Sequence, residues 1–296
     1  MTGQDWLAKR FEEHRAHLRS VAYRMLGSLE EADDAVQEAW LRLSRSDTSD
    51  VVNLRGWLTT VTGRVCLDML RSHASRHEQP LDFHLPDLIV SPAGHADPEQ
   101  ETLLAESVGL ALHVILQTLP PAQRLAFVLH DMFAVPLDEI AAVLGRSTTA
   151  TKQLASRART RIRAGGPPAD ADPVPQHEAV QAFFEAARQG DFDRLVALLA
   201  PDVVMRSDGG GMAARATVTR GAAAVATQAL TFFRPEAAIH PALVNGAAGV
   251  VIATAGRPVS VIGFTVRAGT IVAIDGVADP ARLGRLDLSE FARAHR

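Results

Sequence analysis

The stretch LDEIAAVLGRSTTATKQLASRARTRIR, Leu137–Arg163, predicts two helices joined by a tight turn. Apolar residues recur at helical spacing from Leu137 to Leu144, and Gly145 suits the left-handed conformation that ends many helices. Ser147 is then placed to cap a second helix that begins near Thr148. Helix, glycine turn and capped helix together form the pattern of a helix-turn-helix unit.

The second helix is strongly basic and has no acidic residue between Thr148 and Arg163. Basic runs are often only solvated helix faces, but here the charge coincides with the turn chemistry, which favours DNA recognition. The first residues of such a helix reach base edges in the major groove, whereas later ones contact phosphates, which position the protein without reading sequence. The expected base contacts are Thr148, Thr149, Lys152, Gln153 and Ser156. The expected phosphate contacts are Arg157, Arg159 and Arg161.

Two further helices are predicted nearer the start of the chain. In GSLEEADDAVQEAWLRL, residues 27–43, Ser28 and Glu31 form a capping box, and a polar face lies opposite the apolar stripe. LRGWLTTVTGRVCLDMLRSHASRH, residues 54–77, buries an apolar face and carries four arginines. Cys66 is the single cysteine, which excludes an internal disulfide and a multi-cysteine zinc site.

Composition divides the rest of the chain. Residues 78–101 hold six acidic residues, four prolines and no Lys or Arg, and residues 164–176 have the Pro/Gly/Asp composition of a linker. The predicted organisation is 1–77 helical, 78–101 acidic connector, 102–163 helical, 164–176 linker and 177–296 C-terminal domain.

A net charge of −4 excludes a uniformly basic surface, so DNA contacts must come from local patches. No cofactor, metal site, membrane span or signal peptide is predicted, and a cytoplasmic protein is expected.

Three segments in this order resemble the second and fourth conserved regions of bacterial extracytoplasmic-function sigma factors. They are DDAVQEAWLRL, RGWLTTVTGRVCLDMLRS and LPPAQRLAFVLHDMFAVPLDEIAAVLGRSTTATKQLASRARTRIR, and the match covers about residues 8–163. Such proteins bind core RNA polymerase, on its β′ clamp and β flap, and direct it to promoter DNA.

The resemblance implies roles for particular residues. It assigns the helix with Asp33, Asp34, Gln37, Glu38 and Trp40 to docking on the β′ clamp of the polymerase. It assigns melting and reading of the minus-ten element to the helix with Arg55, Trp57, Arg64, Arg71 and Arg76. It assigns the minus-thirty-five element to the helix-turn-helix. The connector, being acidic, takes a path in this family through the positive channel that polymerase uses for nucleic acid; a merely solvated linker is the alternative.

The C-terminal domain predicts helices followed by a curved antiparallel sheet. HEAVQAFFEAARQGDFDRLVALLAPDVVMRSDGGG, residues 177–211, predicts two helices, a turn at Gly190 and a strand, and later β-branched runs predict three more strands. This segment resembles the SnoaL-like domain of the nuclear-transport-factor-two-like fold. The expected fold is therefore two all-α sigma modules, a helical region two and a helix-turn-helix region four, plus an α+β cone-shaped SnoaL-like domain.

The SnoaL-like fold houses both enzymes and binding domains, so the fold does not decide function. Asp208, His240 and Asp275 are the candidates for catalysis, but no acid and base stand at recognisable spacing, and no enzyme is predicted. Sigma factors that carry this extension are regulated in cis by it, and they typically have a DGGGK loop where this chain has DGGGM. We therefore expect Asp208, Gly209, Gly210 and Gly211 to form an interdomain contact.

Two rival functions stay open at the level of sequence. A ligand-sensing DNA-binding regulator would leave the clamp-like helix and the acidic connector unexplained. A SnoaL-like cyclase or isomerase fused to a DNA-targeting module would need an acid–base pair in the cone. Whether the cone takes an unknown small ligand also stays open.

Overall fold

The computed structural model describes residues 3–46, 53–75, 85–93, 109–164, 173–209 and 216–292. The chain forms two compact units, each built from two separate segments. The first unit is Met1–Gln79 with His113–Pro167, and the second is Pro80–Leu112 with Pro168–Arg296. The connector therefore belongs to the same unit as the C-terminal domain.

The first unit is helical. Its elements are α1 (Gly3–Leu26), α2 (Leu29–Arg45), α3 (Leu54–Ser75), the larger part of α4 (Gly109–Gln117), α5 (Pro121–Phe127) continued by a π-helical turn (Val128–Met132), α6 (Leu137–Leu144) and α7 (Thr148–Ala164). The predicted helix ends at Ser28, Gly145 and Ser147 are confirmed. The Ser28 hydroxyl accepts from the Glu31 amide at 3.5 Å, and the Ser147 hydroxyl accepts from the Ala150 amide at 3.2 Å. Gly145 ends α6 with a φ of 63°, in the left-handed region.

Helix α3 contacts α1 and α2 and also packs against α5. Gly63 allows the approach to α5, because a Cβ at that position would lie 2.9 Å from a methyl carbon of Leu129. The helical segments that resemble regions two and four thus share one packed unit.

The second unit is a seven-stranded sheet with helices. Its elements are β1 (Val90–Pro92), α8 (Pro173–Gln189), α9 (Phe192–Leu198), β2 (Leu199–Ser207), β3 (Thr217–Arg220), α10 (Ala222–Phe232), β4 (Ala238–Val244), β5 (Ala247–Thr254), β6 (Arg257–Arg267), β7 (Thr270–Val277), α11 (Pro280–Leu283) and α12 (Ser289–Ala292). The strand order is β1-β4-β5-β6-β7-β2-β3. Helix α8 includes residues 173–176 of the segment predicted as linker, since proline is tolerated in the first helical turn.

The prediction of an antiparallel sheet was wrong at one pair of strands. β2 runs parallel to β7, whereas the remaining pairs are antiparallel. Parallel neighbours need a long connection. Here β3, α10 and the β4–β6 meander intervene, and nothing in the local sequence of β2 encodes that pairing.

One face of the sheet packs on α8, α9 and α10 around an apolar cluster that includes Phe183, Leu195 and Phe264. Ile274 of β7 belongs to this cluster and Asp275 does not. Because successive side chains of a strand point to opposite faces, Asp275 lies on the other face of the sheet. It is nevertheless buried there, with 1% of its surface exposed.

Candidate nucleic-acid interface and connector site

The predicted DNA-reading residues lie on the outer face of α7. Thr151, Ala155 and Ala158 are buried against the rest of the unit, while Thr148, Thr149, Lys152, Gln153, Ser156, Arg157 and Arg161 are exposed. Arg159 differs from its neighbours, because its Nε donates to Asp131 Oδ1 at 2.6 Å. An ion pair within the protein therefore competes for this arginine, and its assignment as a phosphate contact remains a prediction.

The predicted polymerase-docking residues follow one side of α2. Asp33, Asp34 and Gln37 are exposed, and Asp33 accepts both Nε and Nη2 of Arg19, at 2.7 and 3.1 Å. Glu38 accepts from Arg42 Nε at 3.0 Å. The Trp40 ring is tilted against Phe11 with 5.1 Å between centroids, so it is anchored in the helical bundle on one side.

The predicted minus-ten residues lie on α3. Arg55, Arg64 and Arg71 are exposed, and Trp57 is half-buried. Arg55 Nη2 lies 3.1 Å from His17 Nδ1 of α1. Arg76 lies outside the described residues.

A buried arginine joins region four to region two. Arg124 of α5 donates to the Met25 carbonyl at 2.7 Å, at the end of α1, and to the Gln117 carbonyl at 2.6 Å. Gln117 Nε2 donates to the Leu26 carbonyl at 3.2 Å. A cation at the C-terminus of a helix is favoured by the macrodipole. Burial lowers the pKa of Arg124 to about 10, which still leaves it charged at neutral pH.

Gly27 makes this contact possible. It has a φ of +84°, and a Cβ built on it would lie 2.0 Å from the Gln117 side-chain nitrogen. Nearby, the His113 ring packs edge-on against Tyr23 with 4.5 Å between centroids. Burial, followed by the charge of Arg124, lowers the pKa of His113 to about 3.

In the second unit, Asp208 organises the turn that follows β7. Its carboxylate accepts the Ala278 amide at 2.9 Å and the Asp279 amide at 3.3 Å, and it lies 3.5 Å from Arg282 Nη1. Gly209 has a φ of +81°, and Gly210 and Gly211 lie outside the described residues.

Arg282 then binds the connector. Its Nη2 donates to the Leu85 carbonyl at 2.9 Å and to the Pro86 carbonyl at 2.8 Å. Asp208 contacts the other terminal nitrogen of the guanidinium, Nη1. Asp279 caps α11, because its carboxylate accepts the backbone amide of Arg282 at 2.9 Å. Asp208 therefore contacts the same arginine that binds the connector, within the second unit, and the interdomain contact of this loop stays a prediction.

The connector also extends the sheet. β1 pairs antiparallel with β4, which places Val90 opposite Val244. Asn245 lies in the turn between β4 and β5. Its side-chain Oδ1 accepts a hydrogen bond from the Ile89 backbone amide at 3.1 Å, and its own backbone amide donates to the Ile89 carbonyl at 2.8 Å. Leu85 and Leu88 are buried. This segment, residues 85–92, is called the docked connector below.

Asp275 is paired rather than isolated. Arg206, beside it on β2, donates to its carboxylate at 2.8 Å, and only 15% of the Arg206 side chain is exposed. Burial raises the pKa of Asp275, and the charge of Arg206 opposes that shift. His240 lies on β4 with its ring 6.3 Å from that of Phe291. Asp208 thus contacts Arg282, Asp275 pairs with Arg206, and His240 lies near Phe291.

Two residues of this site were missed by the sequence reasoning. Asn245 precedes Gly246, and Asn-Gly between apolar runs is a strong hairpin signal, so the turn was detectable. Arg282 carries no comparable signal, because its partners lie 197 and 196 residues away along the chain.

Comparison with known proteins identifies the family. Residues 10–76 match Sigma-70 region 2, residues 109–162 match Sigma-70 region 4, and residues 180–278 match the SnoaL-like domain. The chain is 40% identical to the ECF RNA polymerase sigma factor SigJ of Mycobacterium tuberculosis, over 95% of this chain and 94% of that protein. The chain belongs to the ECF RNA polymerase sigma factors.

Two further relatives of this sigma factor agree with that assignment. The probable ECF sigma factor SigI of M. tuberculosis is 35% identical over 97% of this chain and 98% of its own. The crystal structure of M. tuberculosis SigJ superposes with a TM-score of 0.74 and 38% identity, and the match covers 93% of this chain and 98% of that one. The sigma modules and the SnoaL-like domain are therefore shown, in the order predicted.

Within the described ranges, no helix has the length and apolar character needed to cross a bilayer. The same ranges contain no group of three or more His, Cys, Asp or Glu residues arranged to hold a metal ion.

Proposed function

We propose that the C-terminal unit of this sigma factor limits promoter-directed transcription by holding the connector. The main support for this proposal is the docked connector, which is held by Arg282, by Asn245 and by strand pairing to β4. In the resembling family this segment takes a path through the nucleic-acid channel of polymerase. One segment cannot occupy a sheet edge and that channel together, so docking competes with loading onto core polymerase.

The residue roles follow from exposure and charge. The exposed side of α2, with Asp34 and Gln37, is proposed to bind the β′ clamp, and region four to bind the β flap. Arg64 and Arg71 of α3 are proposed to contact the minus-ten element, and α7 to read the minus-thirty-five element. Since its target is the promoter, the proposed site of action is the cytoplasm.

The packing of regions two and four implies an opening step. Minus-ten and minus-thirty-five elements lie about 25 base pairs apart, or roughly 85 Å at 3.4 Å per pair. Arg124 of region four is in direct hydrogen-bond contact with the end of α1 in region two. Simultaneous binding of both elements therefore requires that this contact be broken.

A binding role for the SnoaL-like domain is supported better than catalysis. A general base needs a free carboxylate or imidazole within reach of a substrate. The Asp208 carboxylate is occupied by two backbone amides and by Arg282, and Asp275 is buried against Arg206. Both carboxylates therefore take part in contacts that stabilise the fold.

The test uses full-length protein, because the docked connector and the C-terminal domain form one unit. Wild type and Arg282→Ala are compared for affinity to core polymerase and for transcription from a library of promoter fragments. We expect tighter binding and more transcript from Arg282→Ala. Arg257→Ala is the matched control, since Arg257 is an exposed arginine on β6 of the same unit.

Each outcome has a distinct reading. If Arg282→Ala and Arg257→Ala transcribe equally, the connector does not limit activity. If wild type and Arg282→Ala both fail to bind core polymerase, the ligand-sensing regulator without a polymerase role is favoured instead.

A further inference from the structure

The Arg55 guanidinium is held by a histidine of the neighbouring helix. Arg55 lies in the first turn of α3 and is exposed, and its Nη2 lies 3.1 Å from Nδ1 of His17 on α1. Arginine has only hydrogen-bond donors, so the imidazole nitrogen must be the acceptor. Nδ1 of His17 therefore carries no proton while this contact is made.

The other ring nitrogen of His17 is fixed by Thr59 of α3. Nε2 lies 3.0 Å from the Thr59 hydroxyl oxygen, and that hydroxyl donates its proton to the Arg55 carbonyl at 2.8 Å. Because the hydroxyl proton is already engaged, Nε2–H of His17 is the donor and the Thr59 oxygen is the acceptor. The two contacts thus assign one state to His17, the neutral imidazole with its proton on Nε2.

These contacts close a ring of hydrogen bonds between α1 and α3. It runs from the Arg55 guanidinium to His17, from His17 to Thr59, and from Thr59 back to the Arg55 carbonyl. Thr59 is buried, and the His17 ring also packs edge-on against Phe133 with 5.1 Å between centroids. The imidazole therefore offers Arg55 an acceptor at a fixed position.

A neutral acceptor orients an arginine without cancelling its charge. Arg19, Arg42 and Arg159 are instead paired with carboxylates, at 2.7, 3.0 and 2.6 Å. The contact with His17 engages an N–H of Nη2 and leaves the Arg55 guanidinium its full charge and further donors. An arginine that is both oriented and charged is suited to binding a DNA phosphate or base.

We propose that His17 is a positioning residue for the minus-ten element and holds Arg55 in the rotamer that contacts DNA. Since the guanidinium is ordered before DNA binds, less side-chain freedom is lost on binding, which corresponds to a gain in affinity of about threefold to tenfold. The hydrogen bonds lie within α1 and α3, so they do not require region four. The proposal rests on the proposed role of α3 in minus-ten binding, and it assigns His17 no contact with DNA.

The test is binding of the full chain to fluorescent single-stranded DNA of random sequence, about 15 nucleotides long, followed by anisotropy. His17→Phe keeps a ring against Phe133 but removes both nitrogens, and it should weaken binding about threefold to tenfold. His17→Gln retains an acceptor for Arg55 and a donor for Thr59, and it should restore most of the affinity. In an Arg55→Ala background, His17→Phe should cause no further loss. His14→Phe, one turn earlier on α1, is the matched control and should change affinity less than about twofold.

A spectroscopic measurement separates positioning from general stability. Nitrogen NMR spectra of the wild-type full chain should show His17 as the Nε2–H form with Nδ1 accepting a hydrogen bond, and Arg55→Ala should move the Nδ1 resonance to that of an unbonded acceptor. Thr59→Val removes the acceptor of Nε2–H, so the Nδ1–H form should appear and DNA binding should weaken as in His17→Phe. Circular dichroism and thermal unfolding check that each variant folds. A protonated or Nδ1–H imidazole in the wild type would overturn the proposal.

The remaining outcomes each decide against one claim. If Arg55→Ala weakens DNA binding and His17→Phe does not, Arg55 contacts DNA without being positioned, and the proposal is wrong. Losses that add in the double variant would also overturn it, because the two residues would then act independently. If neither Arg55→Ala nor Arg64→Ala weakens binding, the role of α3 in DNA binding fails, whatever the spectra show for His17.

Discussion

Removal of the Arg282 guanidinium should weaken docking of the connector without unfolding its site. The variant Arg282→Ala loses two hydrogen bonds from Nη2, to the Leu85 and Pro86 carbonyls at 2.9 and 2.8 Å. Asp208 keeps its two amide donors, so the turn after β7 keeps its shape. The connector keeps its pairing to Asn245 and β4.

The magnitude follows from the chemistry of these bonds. A hydrogen bond from a charged donor contributes about 1.5–3 kcal/mol. Because both bonds share one nitrogen, we take about 2–4 kcal/mol for the pair, which corresponds to a ~30- to ~900-fold shift toward the undocked connector.

Hydrogen exchange of the Ile89 amide measures this shift, because that amide is protected only while it donates to Asn245 Oδ1. Its protection should fall by the same factor in Arg282→Ala, and by much less in Arg282→Lys, which retains a donor. Equal protection of Ile89 in Arg282→Ala and in the exposed-site control Arg257→Ala would refute the reasoning.

Three further outcomes are expected. Gly27→Ala should lower the free energy of unfolding by at least about 1–2 kcal/mol in urea titrations. The reason is that Gly27 has a left-handed backbone and that the added Cβ of alanine would meet the Gln117 side chain. An unchanged urea midpoint would contradict this prediction. His113 has its pKa lowered to about 3 from 6.5, so its contribution is present above pH 6.5 and lost as pH falls toward 3. Relative to His113→Leu, wild type should lose about 2 kcal/mol in the free energy of unfolding between pH 7.5 and pH 5. If the unfolding free energies of the two proteins change in parallel with pH, the lowered pKa of His113 does not affect stability. Arg157→Ala should weaken DNA binding nearly uniformly across sequences and reduce the salt slope by about one, whereas a loss confined to one base position would reassign it to base reading.

The parts of the fold that the sequence predicted are those encoded locally. Ser147 and Gly145 mark the ends of adjacent helices through their own side chain and φ, and their neighbours are a few residues away. The two units, by contrast, are each assembled from distant segments, and no local pattern reveals that the connector completes the sheet of the C-terminal unit.

The same distinction applies to the candidate sites. The exposed face of α7 follows from helical periodicity, since Thr151 and Ala155 are buried and the residues between them are not. The pairing of Arg159 with Asp131 depends on how α7 packs, whereas its position late in the basic helix predicts a phosphate contact. Asp275 is a catalytic candidate from sequence alone, and only the parallel pairing of β2 with β7 reveals that Arg206 lies beside it.

The separation of Arg282 from the connector has a consequence for the newly made chain. Leu85 leaves the ribosome 197 residues before Arg282. At about 5–20 residues per second, synthesis of that interval takes roughly 10–40 s. Once α7 has been synthesised, both sigma modules can be complete while Arg282 does not yet exist. Each nascent molecule therefore passes through a period in which its connector lacks the Arg282 contacts, and these form only after Arg282 has been synthesised.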